Sequence, residues 1–205
     1  MVLQKSAIIL AGGFSRRFGR DKGLVLLKGK PLILHVIDKV SPLVDSVLVV
    51  VSSGKQKEDF ERILDNTICI TIDTDQSQTP LVGAITGFQN IKSDYSLLLP
   101  CDAPLISRNI ISFLFDTSLN KQAVIPRWPS GYIEPLQAVY HTKSSLNAAK
   151  TALNQGYMNM RSMINNLQRV RYISTLVLEQ LENNFVSFFN VNTPQDLEKA
   201  ESFLK

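Results

Sequence analysis

The sequence predicts a single α/β domain built on a doubly wound, mostly parallel (mixed) sheet. Three observations predict it. Short apolar runs alternate with segments of helical periodicity from Ala7 to Pro126. Several of those runs, Val47-Leu48-Val49-Val50-Val51 most clearly, are β-branched and uninterrupted, as in strands covered on both faces. A stretch rich in glycine and arginine begins where the first run ends, and sheets of this class bind their ligands beyond the carboxyl ends of the strands.

Taken in order, Ala7-Ile8-Ile9-Leu10 reads as a buried strand. Pro31 suits a first helical turn, and Leu32, Ile33, Val36, Ile37 and Val40 follow at helical spacing. The strand at 47–51 comes next, then a charged helix at 55–64 and a strand at 68–72. A helix is expected at 81–91, a central strand at 95–99, a helix at 107–115 and a strand at 123–126. The second half is less regular. It offers a strand at 136–140, a helix at 144–154 with Leu146, Ala149 and Leu153 inward, and a short helix at 161–167. Strands are expected at 170–173 and 186–190. The last helix opens at Thr193-Pro194, with Asp196 placed to complete a capping box. No repeat, low-complexity segment or linker divides the 205 residues, so residues 1–205 read as one domain with one sizeable core.

Composition narrows the function classes. With 44% hydrophobic and 20% charged residues the chain is an ordinary globular one. No apolar run approaches the ~18 residues of a membrane span, and the apolar start is too short for a signal-peptide core. Cys69 and Cys101 form no C-x-x-C, and their apolar strand-like surroundings predict buried free thiols. All of this fits the cytoplasm. The net charge of +4 is mild and concentrated in residues 16–22 and 28–30, which suits a polyanionic small molecule. A nucleic-acid binder would show a broader basic face with interleaved aromatics, which is not seen.

The chemistry is concentrated in residues 10–31, LAGGFSRRFGRDKGLVLLKGKP. Gly12, Gly13 and Gly19 stand among Arg16, Arg17, Arg20 and Lys22. Adjacent glycines let the backbone approach a ligand closely, and successive backbone N–H groups in such a turn cradle anions. The plain alternative is a tight turn with a solvated basic face; four converging cations favour a triphosphate site instead. The loop has neither the GK[ST] ending of a P-loop nor G-x-G-x-x-G spacing. It resembles the L-A-G-G-x-S-x-R-x-G-x-D-K signature of the small nucleotidyltransferases, extended by Leu24, Gly29, Lys30 and Pro31. Within that superfamily the chain is most similar to the molybdenum cofactor guanylyltransferases, the molybdopterin-guanine dinucleotide synthases. A Rossmann-like nucleotidyltransferase fold is what the resemblance implies.

Four further segments extend the likeness over nearly the whole chain. Leu99-Pro100-Cys101-Asp102-Ala103-Pro104 sets a carboxylate just past a buried strand, suited either to Mg²⁺ or to capping the next helix, a task Ser107 performs equally well. The family pattern places its aspartate on the metal. Asp73 and Thr79-Pro80-Leu81-Val82-Gly83 resemble the base-framing D-x(6)-G-P-L-A-G, with Thr79 for glycine and Val82 for alanine. Asp75 competes for the role given to Asp73, and a strand-end turn explains the segment nearly as well. Ser52, after the 47–51 strand, falls where relatives contact ribose, although a simple turn accounts for Ser52-Ser53-Gly54. Glu134-Pro135-Leu136-Gln137-Ala138-Val139-Tyr140 resembles E-P-L-x-A-x-Y on the acceptor side, with Arg127 and Trp128 just before it either facing a pterin or lying in an exposed loop. The segment 188–197, FFNVNTPQDL, matches F-x-N-x-N-T-P-x-D-L; its two amides suit ligand binding or, as plainly, a strand-to-helix corner.

The resemblance implies transfer of GMP from GTP to the phosphate of molybdenum-bound molybdopterin, with release of pyrophosphate. It assigns catalysis to Lys22, Arg17 and Asp102. Leu10, Ala11, Gly12, Gly13, Lys22, Ser52, Asp73, Pro80, Leu81, Gly83 and Asp102 bind the nucleotide in the N-terminal half. Glu134, Asn190 and Asn192 bind the acceptor in the C-terminal half, and Asp102 with Asn192 holds Mg²⁺. Transient contact with molybdenum-insertion proteins or acceptor molybdoenzymes is a further implication; nucleic acid and membrane are not expected partners. The alternatives are a sister transferase, for cytidylyl transfer to molybdopterin or nucleotidyl transfer to a sugar 1-phosphate, and a nucleotide-binding module without turnover.

Overall fold

The computed structural model of the protein describes residues 3–12, 14–15, 18–73 and 79–204. Gly13, Arg16, Arg17 and Asp75, singled out above, lie outside the described residues. Among those described, one sheet carries seven strands: β1 (Lys5–Leu10), β2 (Ser46–Val51), β3 (Cys69–Ile72), β4 (Tyr95–Pro100), β5 (Ala123–Arg127), β6 (Ala138–His141) and β7 (Val170–Ser174). Their order is β7-β5-β6-β4-β1-β2-β3, and β6 alone runs against its neighbours. The chain leaves β1 to build β2 and β3 on one side, then returns to lay β4 on the other. Leu10 stands level with Val50 and Pro100, so the carboxyl ends of β1, β2 and β4 open together at the switch point.

Period-two alternation sorts the strand residues between two helical layers. Ala7, Ile9, Val49, Val51, Leu97 and Leu99 pack with α1 (Leu32–Val40) and α4 (Arg108–Asp116), joined by Phe60 of α2 (Gly54–Glu61). Ile8, Leu48, Val50 and Leu98 pack with α3 (Pro80–Gln89), α5 (Thr142–Asn154) and α6 (Met160–Asn165). α3 sits close on β1, because a Cβ on Gly87 would fall 2.4 Å from Ile8 Cγ2. A third, smaller cluster of Val25, Leu27, Leu32, Leu105, Val191 and Ala200 fastens α8 (Pro194–Phe203) to the start of the chain. α8 carries the expected Thr193–Asp196 capping box. α7 (Thr175–Glu179) follows β7 directly and was not expected.

Three expectations need correction. Residues 186–190 join no ladder; they form a turn in which Phe189 N–H donates to Val186 O at 2.9 Å. Their hydrophobicity serves packing instead, with Phe185 and Phe188 edge-on to each other and to Trp128. The charged helix ends at Glu61 rather than 64, although Leu64 remains buried in the core. Cys101 is a buried thiol as expected, but Cys69 is exposed, because β3 is the edge strand of the sheet.

Candidate active site

A cleft of about 570 Å³ opens at the switch point. Its wall follows the order of the sheet: Asp73 after β3, Ser52 after β2, Leu10 and Gly12 at the end of β1, Cys101 and Asp102 after β4, and Leu136 before β6. Thr79, Pro80 and Gly83 of the α3 entrance complete one side, and Lys22 faces Asp102. Parallel strands place their following loops on one rim, and the reversed β6 brings its leading residues to the same rim. That is why residues so distant in sequence meet here.

Lys22 is the electrostatic centre. Its Nζ is in contact with Asp102 Oδ2 and donates to Asn192 Oδ1 at 2.6 Å. Asp102 is itself held from below, as Val191 N–H donates to Asp102 O at 2.9 Å. Asp102 Oδ1 is buried and, among the described residues, has no hydrogen-bond partner. A buried carboxylate oxygen without a donor is costly, and a cation would relieve it. Ser107, rather than Asp102, caps the helix that follows.

On the β1–β3 side, Ser52 Oγ lies 2.8 Å from both Gly12 O and Gln56 Oε1 and can donate to either. Asp73 accepts from Thr86 Oγ1 at 3.1 Å, and its own N–H donates to Val51 O. Thr79, which stands where the family pattern has glycine, caps α3 by accepting from Val82 N–H. Ala11 and Leu81 are fully buried behind this wall; Ala11 N–H extends the ladder to Val50 O at 2.8 Å. Gln56 and Thr86 were not singled out from the sequence: each is an ordinary polar residue within a helix, and no local pattern marks it.

On the other side, Trp128 Nε1 donates to Glu134 Oε1 at 2.7 Å. Partial burial pushes the Glu134 carboxyl upward against the opposing effect of that hydrogen bond. Gln137, almost fully buried, donates to Asn190 Oδ1 at 3.4 Å. Asn190 and Asn192 come from irregular chain rather than a strand, and neither they nor Glu134 line the cleft; Asn192 reaches it through Lys22, and Asn190 contacts Gln137 behind it. Among the described residues no group of three or more His, Cys, Asp or Glu side chains could hold a metal.

A switch-point cleft with a glycine-bearing strand end, a lysine and a facing carboxylate suits a nucleotide in an α/β protein. The chain belongs to the family of the MobA-like NTP transferase domain, whose model matches residues 7–170. It is 34% identical to the probable molybdenum cofactor guanylyltransferase of Natranaerobius thermophilus, over 97% of this chain and 96% of that one. To the molybdenum cofactor guanylyltransferase of Desulfosudis oleivorans it is 32% identical, over 98% of this chain and 96% of that one. The crystal structure of molybdopterin-guanine dinucleotide biosynthesis protein A from Archaeoglobus fulgidus superposes with a TM-score of 0.82 at 27% identity, covering 97% of this chain and 98% of that one.

Proposed function

We propose that the protein transfers GMP from GTP to the phosphate of molybdenum-bound molybdopterin, forming the guanine dinucleotide cofactor and releasing pyrophosphate. One observation carries this reading: Lys22 bridges Asp102 and Asn192 at the switch point, in a chain that matches guanylyltransferases over 97% and 98% of its length. Leu10, Gly12, Ser52, Asp73, Pro80 and Gly83 would receive the nucleotide, and Glu134, Asn190 and Asn192 the acceptor. Gly13 and Arg17 are assigned to the β and γ phosphates on the signature alone.

In the reaction an oxygen of the acceptor phosphate forms a bond to the α-phosphorus of GTP as the bond to the β-phosphate oxygen breaks. No general base is required, because the acceptor is already an anion. Lys22 would counter the charge that rises at the α-phosphate, and the remaining residues position the two substrates. The oxygens of Asp102 and Asn192 are hard donors that fit Mg²⁺, which characteristically binds through one or two carboxylates plus phosphate oxygens and waters. Bound there, the ion would neutralise phosphate charge.

Thermal-shift titration with GTP, CTP, UTP and ATP in Mg²⁺ tests the reading. With all four at the same concentration, GTP should stabilise the protein most, by about 2.7 kcal/mol where that concentration is about a hundred times its Kd. Greater stabilisation by CTP would assign the protein to a sister transferase. Binding of GTP without pyrophosphate release when molybdopterin is supplied would leave only a nucleotide-binding module.

A further inference from the structure

Helix α2 grips the signature loop on both sides of Lys22. Gln56, almost fully buried, donates from Nε2 to Asp21 Oδ1 at 2.6 Å, and Asp21 immediately precedes Lys22. One helical turn later Phe60, fully buried, presses on Gly23, where a Cβ would meet the ring at 2.9 Å. Residues at i and i+4 share a helix face, so one face of α2 sets residues 21 and 23 and leaves Lys22 between them aimed at Asp102. The other end of the Gln56 amide is equally committed. Its Oε1 accepts from Ser52 N–H at 2.8 Å, and Ser52 Oγ lies within reach of Gly12 O.

We propose that Gln56 is a positioning residue for the transfer reaction: its one amide ties the Ser52–Gly12 wall of the nucleotide site to the backbone that aims Lys22. This rests on the function proposed above. A primary amide is suited to the task because it donates to a carboxylate at one atom and accepts from a backbone N–H at the other. Leucine fills a similar volume and does neither. Glutamate retains the acceptor facing Ser52 but sets a second negative charge against Asp21. Reacting groups displaced by about 1 Å lose roughly a hundredfold in rate, so the larger effect belongs in turnover, with a smaller one in nucleotide affinity through Ser52.

The experiment compares wild type, Gln56→Leu, Gln56→Glu and the double variant Gln56→Glu with Asp21→Asn. Steady-state pyrophosphate release is measured with molybdopterin supplied, and GTP affinity by calorimetry. Both single variants should lose about 10- to 100-fold in kcat while their GTP affinity changes on the order of threefold or less. The double variant, in which the donor and acceptor are exchanged across the contact, should recover most of the lost kcat. Should Gln56→Leu fail to fold, the Glu single and double variants carry the test alone. A folded Gln56→Glu protein with unchanged kcat would overturn the proposal, as would loss of GTP affinity in step with kcat. A double variant that folds but stays as slow as the single would do the same. A wild-type protein that releases no pyrophosphate from GTP would instead sink the reading beneath it.

Discussion

The ammonium of Lys22 lies against the Asp102 carboxylate and donates to Asn192, which fixes its position in the cleft. A lysine placed against charge that grows during reaction contributes more to the transition state than to binding. Lys22→Ala should therefore lower kcat by about 10²–10³-fold while raising the KM for GTP far less, as read by steady-state pyrophosphate release. A change confined to KM would make Lys22 an anion anchor only. At this scale a local pattern in the sequence marked Lys22, Asp102 and Gly12, and all three line the cleft. It was silent on Gln56, whose importance lies in contacts 35 residues back to Asp21 and four residues back to Ser52.

The packing of α3 on β1 offers a prediction at the scale of elements. Gly83 and Gly87 stand one turn apart, against Leu10 and Ile8 respectively. Replacing a mid-helix glycine by alanine ordinarily favours the helix by about 1 kcal/mol. Here the added Cβ at 2.4 Å from Ile8 must move the helix or the strand, and overpacking of that kind costs about 1–3 kcal/mol. The clash should win. Gly87→Ala is expected to lower stability by up to about 2 kcal/mol in urea unfolding, and an increase would mean that α3 can withdraw freely. Elements with a strong period were legible: β1, β2, β4, α1 and α4 lie within a residue or two of expectation. Residues 186–190 were misread because an apolar run looks the same whether it joins a ladder or packs aromatic rings, and only long-range pairing distinguishes the two.

Across the whole molecule, the end of the chain completes a site begun at its start. Val191 and Ala200 pack with Val25, Leu27 and Leu32, Val191 holds Asp102, and Asn192 meets Lys22. Truncation after Asn192 removes α8 and its capping box, leaving Val191 and Asn192 without their anchor. GTP affinity should stay within roughly an order of magnitude, since the β1–β3 wall is intact, whereas turnover should fall at least about tenfold. The thermal midpoint should drop by several degrees, roughly 2–4 °C for each kcal/mol of lost packing. Unchanged turnover in the truncated protein would show that the C-terminal segment only covers the site. No described helix is long and apolar enough to cross a membrane.

The sequence by itself determined the class of fold and the signature of the site. Strand and helix periods are local properties, and residues 10–31 carry their glycine- and cation-rich pattern in one continuous stretch. Tertiary structure decided what those residues face. Sheet order set Asp73, Ser52, Gly12 and Asp102 in a row, and the reversal of β6 brought Leu136, which leads into it, to the same rim. It also decided that Cys69 is exposed on an edge, that Leu81 supports the wall from behind, and that α2 holds the loop around Lys22. These depend on contacts between residues far apart in the chain, and a local pattern contains no record of which distant surface a side chain will meet.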